Sequence, residues 1–283
     1  MKIKSRSLSH FNLAWLGYLG FIGLLGLWWE PLKPFRLATL FCLFFLYPYR
    51  KNFRFFFRVA IYAYGQIIAV LMAGCRLPRP GRWNQKAHYT LPFEGFWTVG
   101  AGGVDKKNSH SWNVFNQRYA YDLFITDENG KTHRGGGPVL ADHYSFGQAI
   151  LAPADGLVVK TKDGIRDNPE LGSIDIRARI FHGNFVVIRH AQGEYSHLAH
   201  FKKGSLAVKE GEEVRRGQVI GLCGNSGHSL EPHLHFHLQD RANFYFALGL
   251  PLEFSDFVLK NQGQVQYIRR GYISKGQVVK NSK

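Results

Sequence analysis

Hydrophobic and polar positions divide the chain into two unlike parts. Apolar runs occupy residues 11–29, 35–49 and 59–75, and the second run is interrupted early by Arg36. From about residue 90 the runs become short and alternate with polar residues and glycine clusters, which is the pattern of strands and turns. Long segments of helical period are absent from this second part, so the pattern predicts an all-β domain with a sandwich or barrel-like core.

The apolar runs predict a membrane anchor of two to three transmembrane helices over residues 1–76. The run at 11–29 has 19 residues and no charge, close to the roughly 20 that cross a bilayer. It is longer than the ~7–15-residue core of a signal peptide, and no small-residue cleavage site follows it. The run at 59–75 contains Gln66, and an amphipathic helix in the membrane interface is the alternative for it.

Basic residues are concentrated in the same N-terminal part. Residues 1–82 hold 12 of the 36 Lys and Arg but only one of the 20 acidic residues. Because positive charge stays cytoplasmic, segments 1–6 and 50–58 are expected inside and the β-domain outside. The β-domain lacks an Arg-rich stripe with stacking aromatics, which argues against nucleic acid as a partner.

The remaining boundaries follow from turn residues and charge. Residues 77–89 contain Pro78, Pro80 and Gly81 and are predicted to form a linker. The β-domain is expected over 90–260, followed by extra strands and a basic tail at 261–283.

One segment of the β-domain carries three histidines at alternate positions. In "EPHLHFHLQD" (231–240) these are His233, His235 and His237. A strand directs alternate side chains to one face, so the segment predicts a strand with a histidine face. Neutral imidazole is a common zinc ligand and an acid or base near neutral pH. A solvated histidine face is the alternative, and the residues that converge on this strand decide between them.

An ordered set of motifs surrounds this strand. "GEEVRRGQVIGLCGNSGHSLEPHLHFHL" (211–238), "FGQAILAPADGLVV" (146–159) and "GNFVVIRH" (183–190) resemble segments of the lysostaphin-like zinc endopeptidases, which cut cross-linking peptides in bacterial cell walls. The resemblance covers roughly residues 90–240. It implies a zinc endopeptidase acting on peptidoglycan peptides. The predicted membrane anchor and the charge distribution place this protein at the bacterial plasma membrane, with its peptidase domain expected on the extracytoplasmic side. A catalytically inactive member, which binds wall peptides or activates another hydrolase, is the alternative.

The resemblance also assigns roles to individual residues. By its position in "HLH", His235 corresponds to a zinc ligand and His233 to a catalytic partner beside the attacking water. "NQRYAYDLFI" (116–125) matches the segment that supplies the aspartate ligand, which makes Asp122 that ligand. His237 stands where the family often has Glu, and a supporting role is expected for it.

The third ligand departs from the family pattern. Arg118 stands four residues before Asp122, where the family has a histidine, and a guanidinium cannot bind zinc. Some relatives with a similar segment carry this histidine closer to the N-terminus, in a loop before the strand. His110 is therefore predicted as the third ligand. Alternatively, His110 is a loop histidine that binds no metal. His133 and His143 are then the other candidates for the third ligand.

A second catalytic histidine is expected from "EYSHLAHFKKGS" (194–205). Both His197 and His200 fit the family's segment. His200 directly precedes the "KKGS" insertion, as the catalytic histidine does in relatives that have this insertion, and it is therefore favoured.

The complete prediction is a single zinc ion held by His110, Asp122 and His235, with one coordination position open. His200 and His233 flank it as catalytic residues that do not bind the metal.

Overall fold

The computed structural model describes residues 18–40, 53–175, 178, 180–261 and 264–282. The chain divides into two units, Met1–Ala60 and Ile61–Lys283. The described residues form helices α1 (Leu19–Trp28) and α2 (Phe53–Met72) and the strands β1 (Trp97–Ala101), β2 (Tyr121–Phe124), β3 (Ala149–Leu151), β4 (Gly156–Lys162), β5 (Asn184–Ala191), β6 (Glu194–Phe201), β7 (Glu213–Val214), β8 (Val219–Leu222), β9 (Leu234–Gln239), β10 (Gly249–Leu250), β11 (Phe254–Asn261), β12 (Gln264–Gly271) and β13 (Val278–Asn281).

A large antiparallel sheet dominates the second unit. Its strands follow the order β12-β11-β13-β1-β2-β9-β6-β5-β4-β7, with β10 paired to β9, and β3 and β8 form a separate two-stranded sheet. The prediction of a mainly β domain is therefore confirmed. Strands β12 and β13 are integral to the large sheet, since β13 pairs with both β1 and β11.

The central strands bury one face and leave the other for polar groups. In β9, Leu234, Phe236 and Leu238 are in the hydrophobic core. His235 and His237, which lie between them, face the other side of the sheet because side chains alternate along a strand. Burying a side chain such as Phe236 contributes roughly 1.5–3 kcal/mol, so this alternation fixes the register and with it the direction of the histidines.

The predicted transmembrane helices are not supported within the described residues. Helix α1 has 10 residues, about 15 Å at 1.5 Å per residue, roughly half of the ~30 Å hydrocarbon core. Helix α2 has 20 residues but includes Arg54, Arg58 and Gln66. No described helix is both long and apolar enough to cross a bilayer. The parts of the apolar runs at 11–17 and 41–49 lie outside the described residues.

From Ile61 onward, helix α2 packs on the β-domain. The Gln66 amide Nε2 donates to the Tyr245 carbonyl at 2.9 Å, and its Oε1 accepts from the Asn116 backbone N–H at 2.8 Å. A Cβ at Gly65 would lie 2.6 Å from the Tyr245 carbonyl oxygen, so the close approach requires glycine. Gln66 therefore serves as a docking residue of this helix.

Candidate metal centre

Asp122 and His235 form the centre of the site. They are directly opposite each other on the neighbouring strands β2 and β9, and both belong to the face turned away from the core. Asp122 Oδ1 lies 2.8 Å from His235 Nδ1. Two rigid strands thus hold a carboxylate and an imidazole at contact distance.

His110 reaches the same carboxylate from the loop between β1 and β2. Its Nδ1 lies 3.5 Å from Asp122 Oδ2. At the start of this loop Gly102 has φ +127°, and a Cβ there would meet the Ala120 carbonyl oxygen at 2.7 Å. The Ser109 hydroxyl donates to the Arg118 carbonyl at 2.8 Å. These contacts bring the loop back to the start of β2 and position His110.

His233 approaches Asp122 from the start of β9. Its Nδ1 lies 2.8 Å from the Glu231 carbonyl oxygen, and since a carbonyl only accepts, Nδ1 carries the proton. Its Nε2 lies 3.5 Å from Asp122 Oδ1. The Phe124 ring stacks on the imidazole with centroids 5.1 Å apart, which fixes the ring plane.

His200 enters the site through an irregularity in β6. It has φ +64°, a left-handed conformation unusual for a residue with a side chain, at the end of β6 where the pairing with β5 shifts register. Such bulges redirect side chains beside functional sites. The His200 ring centroid lies 4.9 Å from that of His233 and 5.8 Å from that of His235. Its Nδ1 donates to the Ser226 carbonyl at 2.7 Å.

The donor set fits a metal ion. Two combinations of three residues bring one ligand atom each within 4.8 Å of one another, namely His110, Asp122 and His235, and His200, His233 and His235. Imidazole nitrogen and carboxylate oxygen are the ligands of catalytic zinc sites, which use three protein ligands and keep one position open. The first combination corresponds to the ligand set expected from the resemblance.

Electrostatics favour an ionised carboxylate among mostly neutral imidazoles. Burial acts to raise the pKa of Asp122, but His233 and His235 outweigh it and hold that pKa well below its usual value. Burial lowers the pKa of His110, and it lowers the pKa of His200 strongly, with neighbouring imidazoles adding to the effect. Burial acts to lower the pKa of His233, but the Asp122 carboxylate reverses this and raises it.

Three residues that the sequence analysis considered for the third ligand position, namely Arg118, His133 and His143, make other contacts. The Arg118 guanidinium lies 5.0 Å from the Trp112 ring centroid, and its Nε donates to the Trp112 carbonyl. His133 and His143 lie beside each other with ring centroids 5.2 Å apart. Among the described residues, neither appears in a group that could hold a metal.

His197 and His237 lie on the same sheet face but beyond the cluster. The two rings stack with centroids 4.9 Å apart. His197 Nε2 lies 2.9 Å from His182 Nδ1, and His237 Nδ1 lies 3.2 Å from His235 Nε2. Sequence reasoning missed Gln239, which follows His237, although its position continues the alternation of the three histidines.

The fold and the cluster together define the chain as a β-sheet protein with a candidate metal centre on one sheet face. Residues 140–245 match the model of Peptidase family M23. The resemblance to lysostaphin-like peptidases is thereby confirmed. His110 and Asp122 lie before the matched segment, and their place in the cluster rests on the geometry above.

Relatives include hydrolases and an activator. The peptidoglycan DD-endopeptidase ShyA of Vibrio cholerae is 33% identical over 134 residues, 44% of this chain and 27% of the relative. The glycyl-glycine endopeptidase ALE-1 of Staphylococcus capitis is 32% identical over 47% of this chain and 32% of its own length. The murein hydrolase activator NlpD of Salmonella dublin is 32% identical over 40% and 25%. The chain thus spans about a third or less of these relatives.

Among solved structures, the catalytic domain of lysostaphin from Staphylococcus simulans aligns with 58% of this chain and 86% of its own length. The sequence identity is 19% and the TM-score 0.30.

Proposed function

We propose that this protein is a zinc-dependent endopeptidase that hydrolyses peptide cross-links or stems of bacterial peptidoglycan. The observation that carries the proposal is the approach of His110, His233 and His235 to the single carboxylate of Asp122, in a chain that matches the model of Peptidase family M23. The substrate class is taken from the relatives that are named as wall endopeptidases.

His110, Asp122 and His235 are the residues that would hold zinc. When bound, zinc acts as a Lewis acid, which polarises an amide carbonyl and lowers the pKa of a water molecule. The Asp122 carboxylate would contribute the negative charge of the ligand set.

His233 would carry the proton transfers, and His200 would orient the attacking water. In each residue Nδ1 donates to a backbone carbonyl. The Nε2 of the neutral ring is therefore unprotonated, and it faces the site. His233, whose Nε2 lies 3.5 Å from Asp122 Oδ1, would take the proton of the attacking water and deliver it to the leaving amine. His200, whose pKa is lowered, accepts a hydrogen bond from that water and orients it.

Digestion of purified peptidoglycan sacculi by the full chain tests this function, with mass spectrometry of the released peptides. The wild type should release peptides, and His235→Ala should release none. His88→Ala, which changes an exposed histidine, is the control and should act like the wild type. A zinc-loaded wild type that releases no peptide would contradict the hydrolase.

Activation of another hydrolase is the second candidate, and the similarity to NlpD favours it. Here the chain would bind wall peptides without cutting them. The two functions are separated by incubating sacculi with a purified murein hydrolase, with and without this protein. An activator raises peptide release by that hydrolase, and the protein alone releases no more than background.

We further propose that the protein works at the outer side of a bacterial plasma membrane, where its substrate lies. Helix α2 supports an interfacial contact with lipid, because Ile61, Tyr64 and Leu71 are exposed apolar residues on it and anionic lipid attracts the basic residues at 50–58. A phosphatase reporter fused after residue 85 tests the side, since it is active only outside the cytoplasm. An inactive reporter would contradict this location.

A further inference from the structure

The sheet face that carries the metal centre continues across strands that the family model does not cover. Strand β13 pairs with β1, and β11 pairs with both β13 and β12. These three strands occupy residues 254–281, after the matched segment 140–245. Phe124 is two residues from Asp122 on β2, so both side chains are on the same face of the sheet. The face can therefore be followed from Phe124 into the C-terminal strands.

A row of paired residues leads across this face away from His233. The Phe124 ring stacks on the His233 imidazole, and Phe124 pairs with Thr98 on β1. Thr98 pairs with Val278, and Val278 pairs with Lys260 on β11. Neighbouring strands are ~4.8 Å apart, so the four spacings from β9 to β11 place Lys260 roughly 19 Å from His233.

This row is open to solvent. Thr98, Phe124 and Val278 are half-buried, and Lys260 is exposed. On the edge strand β12, Val265 pairs with Lys260 and is 56% exposed. The row is thus an accessible surface of apolar and hydroxyl groups that begins at the candidate metal centre.

Two lysines and an aromatic ring form a lysine patch (Phe96, Lys260 and Lys280) beside this row. The Nζ atoms of Lys280 and Lys260 lie 4.9 and 5.6 Å from the Phe96 ring centroid, and a ring face attracts cations. Neither lysine takes part in any ion pair among the described residues. The ring therefore holds two ammonium groups side by side with no carboxylate to neutralise them.

The nearest acidic residue on β11 is already engaged. Asp256 Oδ1 accepts a hydrogen bond from the Tyr267 hydroxyl at 2.5 Å, and Tyr267 pairs with Val258 between Asp256 and Lys260. The charge of the lysine patch is consequently complementary to an anion from outside the chain.

We infer that the lysine patch binds a carboxylate of the peptide that is cut, with the peptide lying along the row from His233. The inference rests on the proposed function and specifies its substrate as an acidic peptide. An extended chain advances roughly 3.3–3.6 Å per residue, so the carboxylate is about four to six residues from the cleaved bond. The C-terminal strands, rather than the segment that matches the family, make this selection.

Calorimetric titration of the metal-free full chain with muropeptides tests the inference without requiring hydrolysis. The probes are the cross-linked muropeptides that lysozyme releases from sacculi, used untreated and after amidation of their carboxyl groups. The wild type should bind the untreated form about 3–10-fold more tightly, as expected for two exposed ion pairs, and added salt should reduce this preference. Lys260→Gln combined with Lys280→Gln should bind both forms equally.

Lys160→Gln combined with Lys162→Gln is the matched control. These two lysines are also exposed, but they lie on the other side of the metal centre. Lys162 pairs with Phe185, and Phe185 pairs with Ala199. Ala199 in turn pairs with His235. This variant should keep the preference of the wild type for untreated muropeptides.

Three results would overturn the inference: no preference in the wild type, an undiminished preference in the Lys260 and Lys280 variant, or loss of the preference only in the control variant. Equimolar vesicles of phosphatidylcholine and phosphatidylglycerol test lipid as the occupant. If the Lys260 and Lys280 variant loses vesicle binding but keeps muropeptide binding, the patch serves a membrane and the inference is wrong. Lysine-dependent muropeptide binding by a protein that releases no peptide from sacculi would contradict only the hydrolase.

Discussion

Asp122 and His235 are cross-strand partners whose Oδ1 and Nδ1 lie 2.8 Å apart. The pairing of β2 with β9 sets this distance, so no flexible loop is needed to bring the two groups together. His110, His200 and His233 are added around this pair from a loop, a bulge and a strand end. The pair is therefore where substitutions should affect metal binding most directly.

Replacing the carboxylate tests its charge separately from its shape. Asp122→Asn should lower zinc affinity by more than the roughly 10–100-fold typical of indirect partners, because it removes the anionic ligand. It should also lower the pKa of His233, which the carboxylate raises. Zinc content after dialysis and NMR titration of His233 measure the two effects. Unchanged zinc content would exclude Asp122 as a ligand.

His233, just before β9, and His235, within it, are expected to separate metal binding from turnover. His233→Ala should keep zinc and lose about 10²–10⁴-fold in peptide release, the range for a general acid–base residue. His235→Ala should lose both. Metal analysis and sacculus digestion on the same preparations measure this, and equal zinc loss in the two variants would favour the His200, His233 and His235 ligand set instead.

The start of the loop that carries His110 can be disturbed by a substitution outside the ligand set. Gly102→Ala, at φ +127°, places a Cβ 2.4 Å from Tyr121 Cδ1 and 2.7 Å from the Ala120 carbonyl oxygen, whereas a Cβ at Gly130, with φ +77°, meets no atom within 4 Å. Gly102→Ala should therefore weaken zinc binding, because it displaces the His110 loop from the residues just before Asp122. Gly130→Ala is the control, since it has a positive φ but no steric contact, and it should keep wild-type zinc affinity. Equal affinity in both variants would show that this loop does not position a ligand.

Acid should destabilise the metal-free fold through its buried histidines. Burial lowers the pKa of His182 and His197 well below the ordinary 6.5, so the unfolded state binds more protons than the folded state below that pH. Above pH 6.5 these histidines are neutral in both states and do not reduce the free energy of unfolding. That free energy falls as the pH decreases from 6.5 toward the pKa values of the folded state. Each such histidine costs about 1.4 kcal/mol per pH unit in that window. Tm measured with chelator from pH 7.5 to 5 checks this, and a flat profile would contradict it.

Much of the architecture could be predicted because alternation is a local signal. The period-2 pattern of β9 predicted the histidine face, and the motif resemblance identified Asp122 and His110. The N-terminal part could not be predicted in this way. Hydrophobicity alone does not reveal that Gln66 pairs with Asn116 and Tyr245, which lie 50 and 179 residues further along the chain.

The choice between His197 and His200 shows another limit. Regular alternation directs these two side chains to opposite faces, but both are on the side of the histidine cluster because His200 adopts a positive φ at a register shift. A bulge of this kind depends on the pairing with β5 and has no pattern in the neighbouring residues.

The pairing of β13 with β1 bears on how the protein is made. Val279 pairs with Trp97, so β1 lacks one of its two neighbouring strands until residues 278–281 have been synthesised. Until then the edge of β1 is open to wrong partners, including the same strand of another nascent copy. A stop codon shortly before residue 278 would leave the β11–β12 hairpin without its link to the rest of the sheet.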